Sequence, residues 1–364
     1  MNLTRPTEKT IVLGAGLMGR MLACELARQG HSVSLFDAQG PDAQGAAARV
    51  AAAMLAPLAE SAVTEKSVVQ MGQYALTRWP GILEALRQPV FFQRLGTLIV
   101  WHRQDAAEAT RFVRQLESIQ QQIPTLPHAQ SVDAQQISAL EPALGSRFAQ
   151  GFFLPEEGQL DNRQLLDALL SEFERLPIDT HWHSPRALSD FHNHVGWVFD
   201  CRGLGGRADW PRLRGVRGEV IRVYAPEVTL NRPVRLIHPR YPLYIAPKPD
   251  HIFVIGATEI ESEDMSSVSV RSAMELLSAA YAVHSGFAEA RIIEMSTHCR
   301  PALPDNLPAI RILRNRHVQV NGLYRHGFLI APAMLDAVME LVNHGNSPLA
   351  QRLGLVVENA VGKP

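Results

Sequence analysis

A glycine-rich hexapeptide near the N-terminus constrains the fold of this chain more than any other feature. Residues 14–19 read Gly-Ala-Gly-Leu-Met-Gly, the pattern G-x-G-x-x-G. The β-branched run at residues 10–13 predicts a strand before it, and apolar residues at helical spacing continue after it to Gly30. A second strand is predicted from His31 to Phe36. The order strand, glycine turn, helix, strand predicts a β-α-β unit that binds a dinucleotide.

The three glycines and a downstream acid each have a predicted role in this unit. The first glycine allows the tight turn, the second lets backbone N–H groups approach a pyrophosphate at the helix N-terminus, and the third lets helix and strand pack closely. Asp37 follows the last glycine by 18 residues, where its carboxylate can accept hydrogen bonds from ribose hydroxyls. The predicted cofactor contacts are Gly14, Gly16, Leu17, Met18, Gly19, Asp37 and Ala38. The motif alone leaves FAD and NAD open.

Composition narrows the class of partner. The chain has 364 residues, more than one core usually supports, so two domains are expected. Apolar residues make up 46%, charged residues 20%, and the formal net charge is −1. Without a basic surplus, nucleic acid is not expected, and a small molecule is. Three widely spaced cysteines without a CxxC pair predict neither a disulfide framework nor a zinc site.

The expected location is cytoplasmic. The segment Met1–Thr10 is polar and charged, unlike a secretory signal, and no run of eighteen apolar residues predicts a membrane span. Beyond the first unit, the pattern predicts helices over much of 63–123 and a β-rich middle from 195 to 255. An alanine-rich segment should end at Pro57, and a last helix should run from Ala333 to Asn343.

Further segments make the chain resemble one flavoprotein family from end to end. Residues 51–57 read AAAMLAP, residues 200–205 DCRGLG, and residues 217–220 RGEV. Residues 300–305 read RPALPD, and residues 322–332 read GLYRHGFLIAP. These stretches are similar to those of the D-amino acid oxidase and glycine oxidase family, and nearer to the bacterial glycine oxidases of thiamine biosynthesis. Ala53 departs from the pattern, because many members have glycine there.

The resemblance implies an α/β fold with a Rossmann-like FAD-binding domain and a second, β-rich substrate domain. It assigns residues 1–85, 146–214 and 300–364 to the first domain, and residues 86–145 and 215–299 to the second. It also implies noncovalent FAD: Cys299 lies near the place where related sarcosine oxidases attach flavin covalently, but His298 occupies the corresponding position. The flavin contacts that it implies are Ala52, Ala53, Met54, Arg186, Gly203, Gly327 and Leu329.

The same resemblance implies the substrate contacts. Arg300 would bind the substrate carboxylate, Tyr244 would donate a hydrogen bond to it through its hydroxyl, and Arg325 would supply a second positive group. A planar guanidinium suits the first role because two parallel hydrogen bonds fix the carboxylate's orientation. The implied reaction transfers a hydride from the α-carbon of a small amino acid or secondary amine, such as glycine, sarcosine or a D-amino acid.

Several alternatives stay open at this stage. An oxidase would return electrons to oxygen, whereas a dehydrogenase of the same family would use another acceptor. A flavin-binding maturation partner without turnover is a further alternative, and an NAD-dependent dehydrogenase rests on the glycine motif alone. The sequence does not fix the oligomeric state.

Two other polar groupings carry weaker signals. The pairs His181/His183 and His192/His194 lack a completing Cys, Asp or Glu pattern, so no metal site is predicted. The acidic run of Glu259, Glu261, Glu263 and Asp264 is expected to be a solvated loop.

Overall fold

The structure, a computed structural model, describes residues 9–238 and 243–360. Most of the segment Met1–Thr10, on which the expectation about a signal rests, lies outside them. The described strands are β1 (Thr10–Leu13), β2 (Val33–Phe36), β3 (Met54–Leu55), β4 (Phe92–Gln93), β5 (Thr97–Val100), β6 (Gln130–Asp133), β7 (Gln150–Leu154), β8 (Gly158–Leu160), β9 (Ile178–His181), β10 (Val198–Asp200), β11 (Arg214–Tyr224), β12 (Val234–Leu236), β13 (Leu243–Lys248), β14 (Ile252–Gly256), β15 (Arg291–Ala302), β16 (Ala309–Ile312), β17 (His317–Asn321) and β18 (Val356–Asn359). The described α-helices are α1 (Leu17–Arg28), α2 (Ala47–Val50), α3 (Pro57–Ser61), α4 (Lys66–Glu84), α5 (Ala106–Gln122), α6 (Ala134–Leu140), α7 (Asn162–Glu172), α8 (Val270–Val283), α9 (Gly327–His344) and α10 (Pro348–Leu353).

The first sheet is the predicted Rossmann-like layer. Its strand order is β18-β16-β17-β10-β1-β2-β9, and every pairing in it is parallel except that of β16 with β17. Helix α1 connects β1 to β2, which confirms the β-α-β unit expected from the glycine pattern. Helices α1, α4, α7 and α9 contribute to the large apolar core beside this sheet. The carboxyl ends of β1 and β10 therefore meet at one edge, the usual ligand edge of such sheets.

The second sheet is mixed and carries Tyr244 on β13 and Arg300 on β15. Its order is β15-β11-β14-β13-β12-β5-β7-β6, with only β12 and β5 parallel. The long antiparallel pair β11 and β15 sets Val216 opposite Arg300 and Gly218 opposite His298. Strand β7 pairs here, although its residues fall in the 146–214 segment assigned to the FAD-binding domain. The proposed domain boundaries remain a prediction.

Helix α9 begins earlier than the sequence pattern suggests. It starts at Gly327 rather than at Ala333 and contains Pro332. Proline lacks an N–H, so the carbonyl four residues before it, that of Phe328, loses its helical donor. The indole Nε1–H of buried Trp79 donates to that carbonyl at 3.1 Å instead. A side chain from α4 thereby allows the helix to extend back toward the cavity described below.

No helix runs from the alanine-rich segment through Pro57, but Pro57 begins a helix that the sequence pattern did not predict. The alanine-rich segment forms the short helix α2 and strand β3, and Pro57 is the first residue of α3. A proline suits the first helical turn because its missing N–H has no helical partner there and its φ is already helical. Helix α3 carries Glu60, which lines the cavity described below.

Candidate active site

One large cavity collects almost all of the predicted site residues. Its volume is about 1440 Å³, above the usual range for small-ligand sites. Gly19 is the predicted contact that does not line it. The others do: Gly14, Gly16, Leu17, Met18, Asp37, Ala38, Ala52, Ala53, Met54, Arg186, Gly203, Tyr244, Arg300, Arg325, Gly327 and Leu329. The structure thus brings the N-terminal turn and the C-terminal motifs to the same space.

The glycine turn has the geometry that its pattern predicts. Gly14 has a φ of +92°, and a Cβ there would lie 2.7 Å from the carbonyl oxygen of Cys201. A Cβ on Gly19 would collide with the carbonyl group of Gly14, whose carbon would be 2.9 Å away. The close approach at Gly19 is the helix–strand packing that the pattern predicts for the third glycine. Gly16 caps α1 without any side-chain hydrogen bond, which leaves the first N–H groups of the helix for a ligand.

Asp37 closes the turn from the end of β2. One of its carboxylate oxygens accepts from the N–H of Ala15 at 2.5 Å, and the other accepts from the N–H of Gln39 at 2.7 Å. The carboxylate therefore links the glycine turn to the second strand while lining the cavity. Each oxygen keeps a second lone pair, which can accept a ribose hydroxyl.

The alanine-rich loop is held in an unusual backbone conformation. Ala53 has a φ of +51°, in the left-handed region that favours glycine. Its carbonyl accepts from the N–H of Leu160 at 3.1 Å. The position where many family members have glycine is thus one where the backbone conformation suits glycine.

Buried Lys248 ties this loop to the strand behind it. Its ammonium donates to the carbonyls of Ala52 (2.8 Å) and Leu160 (2.7 Å) and to the side-chain oxygen of Gln159 (3.0 Å). Three acceptors match the three N–H bonds of an ammonium. Burial lowers the pKa of Lys248 to about 7.

Arg300 faces the cavity from β15. Its guanidinium donates to two backbone carbonyls, that of Arg217 at 3.3 Å and that of Thr258 at 3.0 Å. Within residues 9–238 and 243–360 it forms no ion pair with a carboxylate. A buried network supports both carbonyls, because Glu219 accepts from Arg217 at 2.6 Å and from Thr258 at 3.0 Å. The guanidinium is held in place with N–H groups left for a ligand.

Tyr244 reaches the same cavity from β13. A Cβ on Gly256 would lie 2.6 Å from the Tyr244 hydroxyl oxygen, so only glycine leaves room for the phenol. Burial raises the pKa of Tyr244, which keeps the hydroxyl protonated as a donor. Arg300 and Tyr244 thus present donors to one space, as expected for carboxylate recognition.

Arg325 lines the cavity as predicted, but two carboxylates already neutralise it. Its Nη2 donates to Glu60 at 2.6 Å and its Nη1 donates to Glu259 at 2.8 Å. Glu60 also accepts from Arg235 at 2.5 Å, and Glu259 accepts from the Tyr324 hydroxyl at 2.6 Å. Arg325 therefore organises the pocket wall rather than offering an uncompensated positive charge.

The protonation states of this wall follow from burial and pairing. Burial alone would raise the pKa of Glu60, but Arg325 and Arg235 outweigh it and hold that pKa well below the usual range. Burial lowers the pKa of His326 to about 4, so its imidazole is neutral at pH 7. This wall therefore combines the ion pairs of Arg325 with Glu60 and Glu259 with a neutral His326 imidazole.

The acidic run is not the uniform solvated loop expected from the sequence. Glu261 pairs with Arg214 at 2.5 Å and Glu263 pairs with Arg207, both at the surface. Glu259 instead lines the cavity. Sequence reasoning missed it as a site residue because four acids in one run look alike without the backbone path.

Glu60 and Lys248 were also missed. Glu60 lies three residues after Pro57, in a helix that the sequence pattern did not predict. Lys248 lies four residues after Tyr244 in one strand, so both side chains point to the same side of the sheet. That shared spacing was the signal that could have found it.

No group of His, Cys, Asp or Glu in residues 9–238 and 243–360 is arranged to hold a metal ion. His181 stacks on Phe36 with ring centroids 4.3 Å apart, and His194 contacts the carbonyl of Lys9 at 2.6 Å. His298 lines the cavity with Nε2 at 3.1 Å from the Gly45 carbonyl.

Across the part of the chain that the structure describes, no helix has the length and apolar character to cross a membrane.

The cavity fits FAD on structural grounds. Its volume suits a dinucleotide, and the exposed N-terminus of α1 suits a pyrophosphate. Asp37 lies at the β2 end of the turn, where a ribose is bound in this architecture. The alanine-rich loop and the start of α9 line the rest of the space together with Arg300 and Tyr244.

Comparisons with known proteins agree with this geometry. Residues 9–341 match the sequence model of a family described as FAD dependent oxidoreductase. The chain is 41% identical over 334 residues to a Rhizobium etli protein that carries the provisional name thiamine biosynthesis oxidoreductase ThiO, covering 91% of this chain and 95% of that protein.

Two solved structures share the fold at low sequence identity. Glycine oxidase from Bacillus cereus superposes with a TM-score of 0.80 at 19% identity, covering 98% of this chain and all of that one (100%). Iminodiacetate oxidase from Chelativorans superposes with a TM-score of 0.78 at 18% identity, covering 97% and 100%. Below 25% identity these likenesses establish the fold.

Proposed function

The chain belongs to the family of FAD-dependent oxidoreductases, and we propose that it oxidises a small amino acid or secondary amine to the imine. Glycine, sarcosine and small D-amino acids are the proposed substrates. The 41% identity to the Rhizobium etli ThiO protein favours a role in thiamine biosynthesis. Oxygen is the proposed electron acceptor, with a dehydrogenase using another acceptor as the alternative.

One observation carries the proposal. The Arg300 guanidinium lines the same cavity as the glycine turn, and its bonds go to backbone carbonyls rather than to a carboxylate. A guanidinium held this way binds a carboxylate through charge-assisted hydrogen bonds and fixes its orientation. An amino acid gripped there presents its α-carbon to the cavity interior.

The chemistry that FAD supplies when bound is acceptance of a hydride from that carbon. The protein's part is positioning, because holding the reacting atoms in a productive geometry supplies much of the rate. Arg300 binds the carboxylate, and the protonated Tyr244 hydroxyl donates to it. No side-chain base is needed if the amine binds neutral, since its lone pair drives hydride departure. The neutral imidazole of His326 adds no positive charge that would oppose this step.

An anaerobic substrate screen tests the proposal. Purified holoprotein is mixed with glycine, sarcosine, D-alanine and proline, and the flavin absorbance is followed for bleaching. Glycinamide and sarcosine amide serve as matched controls, because they keep the amine and lose the carboxylate. We expect bleaching by at least one amino acid and none by its amide. Equal bleaching by acid and amide, or none by any amine, would contradict the proposal. Oxygen consumption then separates oxidase from dehydrogenase.

A further inference from the structure

Glu259 places a carboxylate in the cavity beside the arginines. Its side chain is 46% exposed, lines the cavity, and accepts hydrogen bonds from Tyr324 at 2.6 Å and from Arg325 at 2.8 Å. Glu261 and Glu263 of the same run pair instead with Arg214 and Arg207. Glu259 is therefore part of the pocket wall and not of the solvated loop that follows it.

The charges on this wall leave room for one negative group. The wall is formed by three guanidiniums and two carboxylates, so these five side chains carry a net charge of +1. They are Arg235, Arg300, Arg325, Glu60 and Glu259. Arg235 pairs with Glu60, and Arg325 pairs with both acids. The uncompensated charge thus resides on Arg300, and a single substrate carboxylate neutralises it.

The backbone carries Glu259 close to that carboxylate site. Nη2 of Arg300 donates to the carbonyl of Thr258, the residue immediately before Glu259. Burial alone would raise the pKa of Glu259. The hydrogen bond from Tyr324, the contacts with Arg325 and the nearby charge of Arg300 outweigh burial and lower that pKa. A substrate gripped by Arg300 therefore lies beside a fixed negative charge.

We propose that Glu259 determines substrate specificity by excluding amines that carry a second carboxylate. This inference rests on the proposed function and names the substrate class within it: amines with one carboxylate. A second carboxylate extending from Arg300 toward Arg325 meets the negative charge of Glu259, which already occupies the Nη1 donor of Arg325. Like charges opposed in a partly desolvated site weaken binding.

A pair of isosteric substrates measures this effect. Iminodiacetate and its monoamide are both N-substituted glycines of equal size, and they differ in one charge. The rate of anaerobic flavin bleaching is measured for both with wild-type holoprotein, with Glu259→Gln, and with Glu261→Gln as the matched control. Glu261 belongs to the same acidic run but is 70% exposed and pairs with Arg214.

We expect wild type and Glu261→Gln to prefer the monoamide by on the order of tenfold or more. Glu259→Gln keeps the shape, removes the charge and frees Arg325, so most of that preference should be lost. If Glu259→Gln keeps the wild-type ratio, Glu259 is not the filter. If wild type bleaches with neither compound nor with sarcosine, the proposed function itself fails, which is a distinct result.

A measurement on the wild type alone covers the case in which Glu259→Gln does not fold. Methoxyacetate and oxydiacetate lack an amine and do not react, so their binding is followed through the flavin spectrum. The proposal predicts tighter binding of methoxyacetate, the monoacid. Equal or tighter binding of oxydiacetate would overturn it.

Discussion

The guanidinium of Arg300 lies directly over Gly218, in the space that a side chain at position 218 would occupy. Three guanidinium atoms would lie within 2.7 Å of a Cβ placed there. The glycine of the Arg217-Gly218 motif thus has a steric reason, because any larger residue at position 218 would displace Arg300 on the paired strand.

Gly218→Ala should displace Arg300 without disturbing the FAD end of the cavity. A shift of about 1 Å in a positioning group costs roughly 100-fold in rate, so we expect anaerobic reduction by substrate to slow by about that factor while FAD stays bound. Gly81→Ala is the matched control, since its Cβ would meet only Arg78 at 3.7 Å. Wild-type reduction kinetics in Gly218→Ala would contradict the packing argument.

Ala53→Gly should be more stable than Ala52→Gly. Both residues are buried, so each glycine variant loses a buried methyl group and gains freedom in the unfolded state. Only Ala53 has a left-handed backbone conformation, which costs an L-residue about 1–2 kcal/mol. The unfolding free energy of Ala53→Gly should therefore exceed that of Ala52→Gly by about that amount, which thermal unfolding measures. Equal stability of the two variants would argue against strain at Ala53.

Lys248 should give the protein a component of stability that rises with pH. Burial lowers its folded pKa to about 7, while an unfolded lysine titrates near about 10.4. Between these values the unfolded chain binds more protons, so this contribution to unfolding free energy increases with pH. The unfolding free energy of the wild type minus that of Lys248→Met should increase from pH 7 to pH 10.

Lys248→Met also removes the ammonium that donates to the carbonyls of Ala52 and Leu160. The loop that lines the cavity should then hold FAD less tightly, which fluorescence titration of the apoprotein measures. A pH-independent stability difference would show that Lys248 keeps an ordinary pKa.

Trp79→Phe should leave the carbonyl of Phe328 without a donor. A buried unsatisfied carbonyl costs about 1–3 kcal/mol, so the unfolding free energy should fall by that amount. In a Pro332→Ala background the new N–H can donate to the same carbonyl, and the penalty should be smaller by about 1 kcal/mol. Additive effects in the double-mutant cycle would refute the link between Trp79 and Pro332.

The glycine turn could be predicted because its signal is local. Strand, turn, helix and terminal acid follow one another within residues 10–37, and each glycine has a steric reason that the structure bears out at Gly14 and Gly19. Arg300 was predicted through the resemblance, and in the structure it lines the cavity. The sequence alone carries no reason why residue 300 should approach residue 14.

The pocket wall could not be predicted because its partners are distant in sequence. Glu60 meets Arg325 across 265 residues, and Glu259 meets it across 66. Glu60 lies on α3, Glu259 follows β14, and Arg325 lies two residues before α9, so it is the fold that brings these charges together. Arg325 therefore looked like a free cation in the sequence, whereas in the fold its charge is compensated.

The central claim is that the guanidinium of Arg300 grips the substrate carboxylate beside FAD. Anaerobic reduction of Arg300→Ala by the best amino acid from the screen tests it most directly, with exposed Arg111→Ala as the control. The account predicts that both variants bind FAD and that only Arg300→Ala resists bleaching. Bleaching of Arg300→Ala at the wild-type rate and substrate concentration would contradict it.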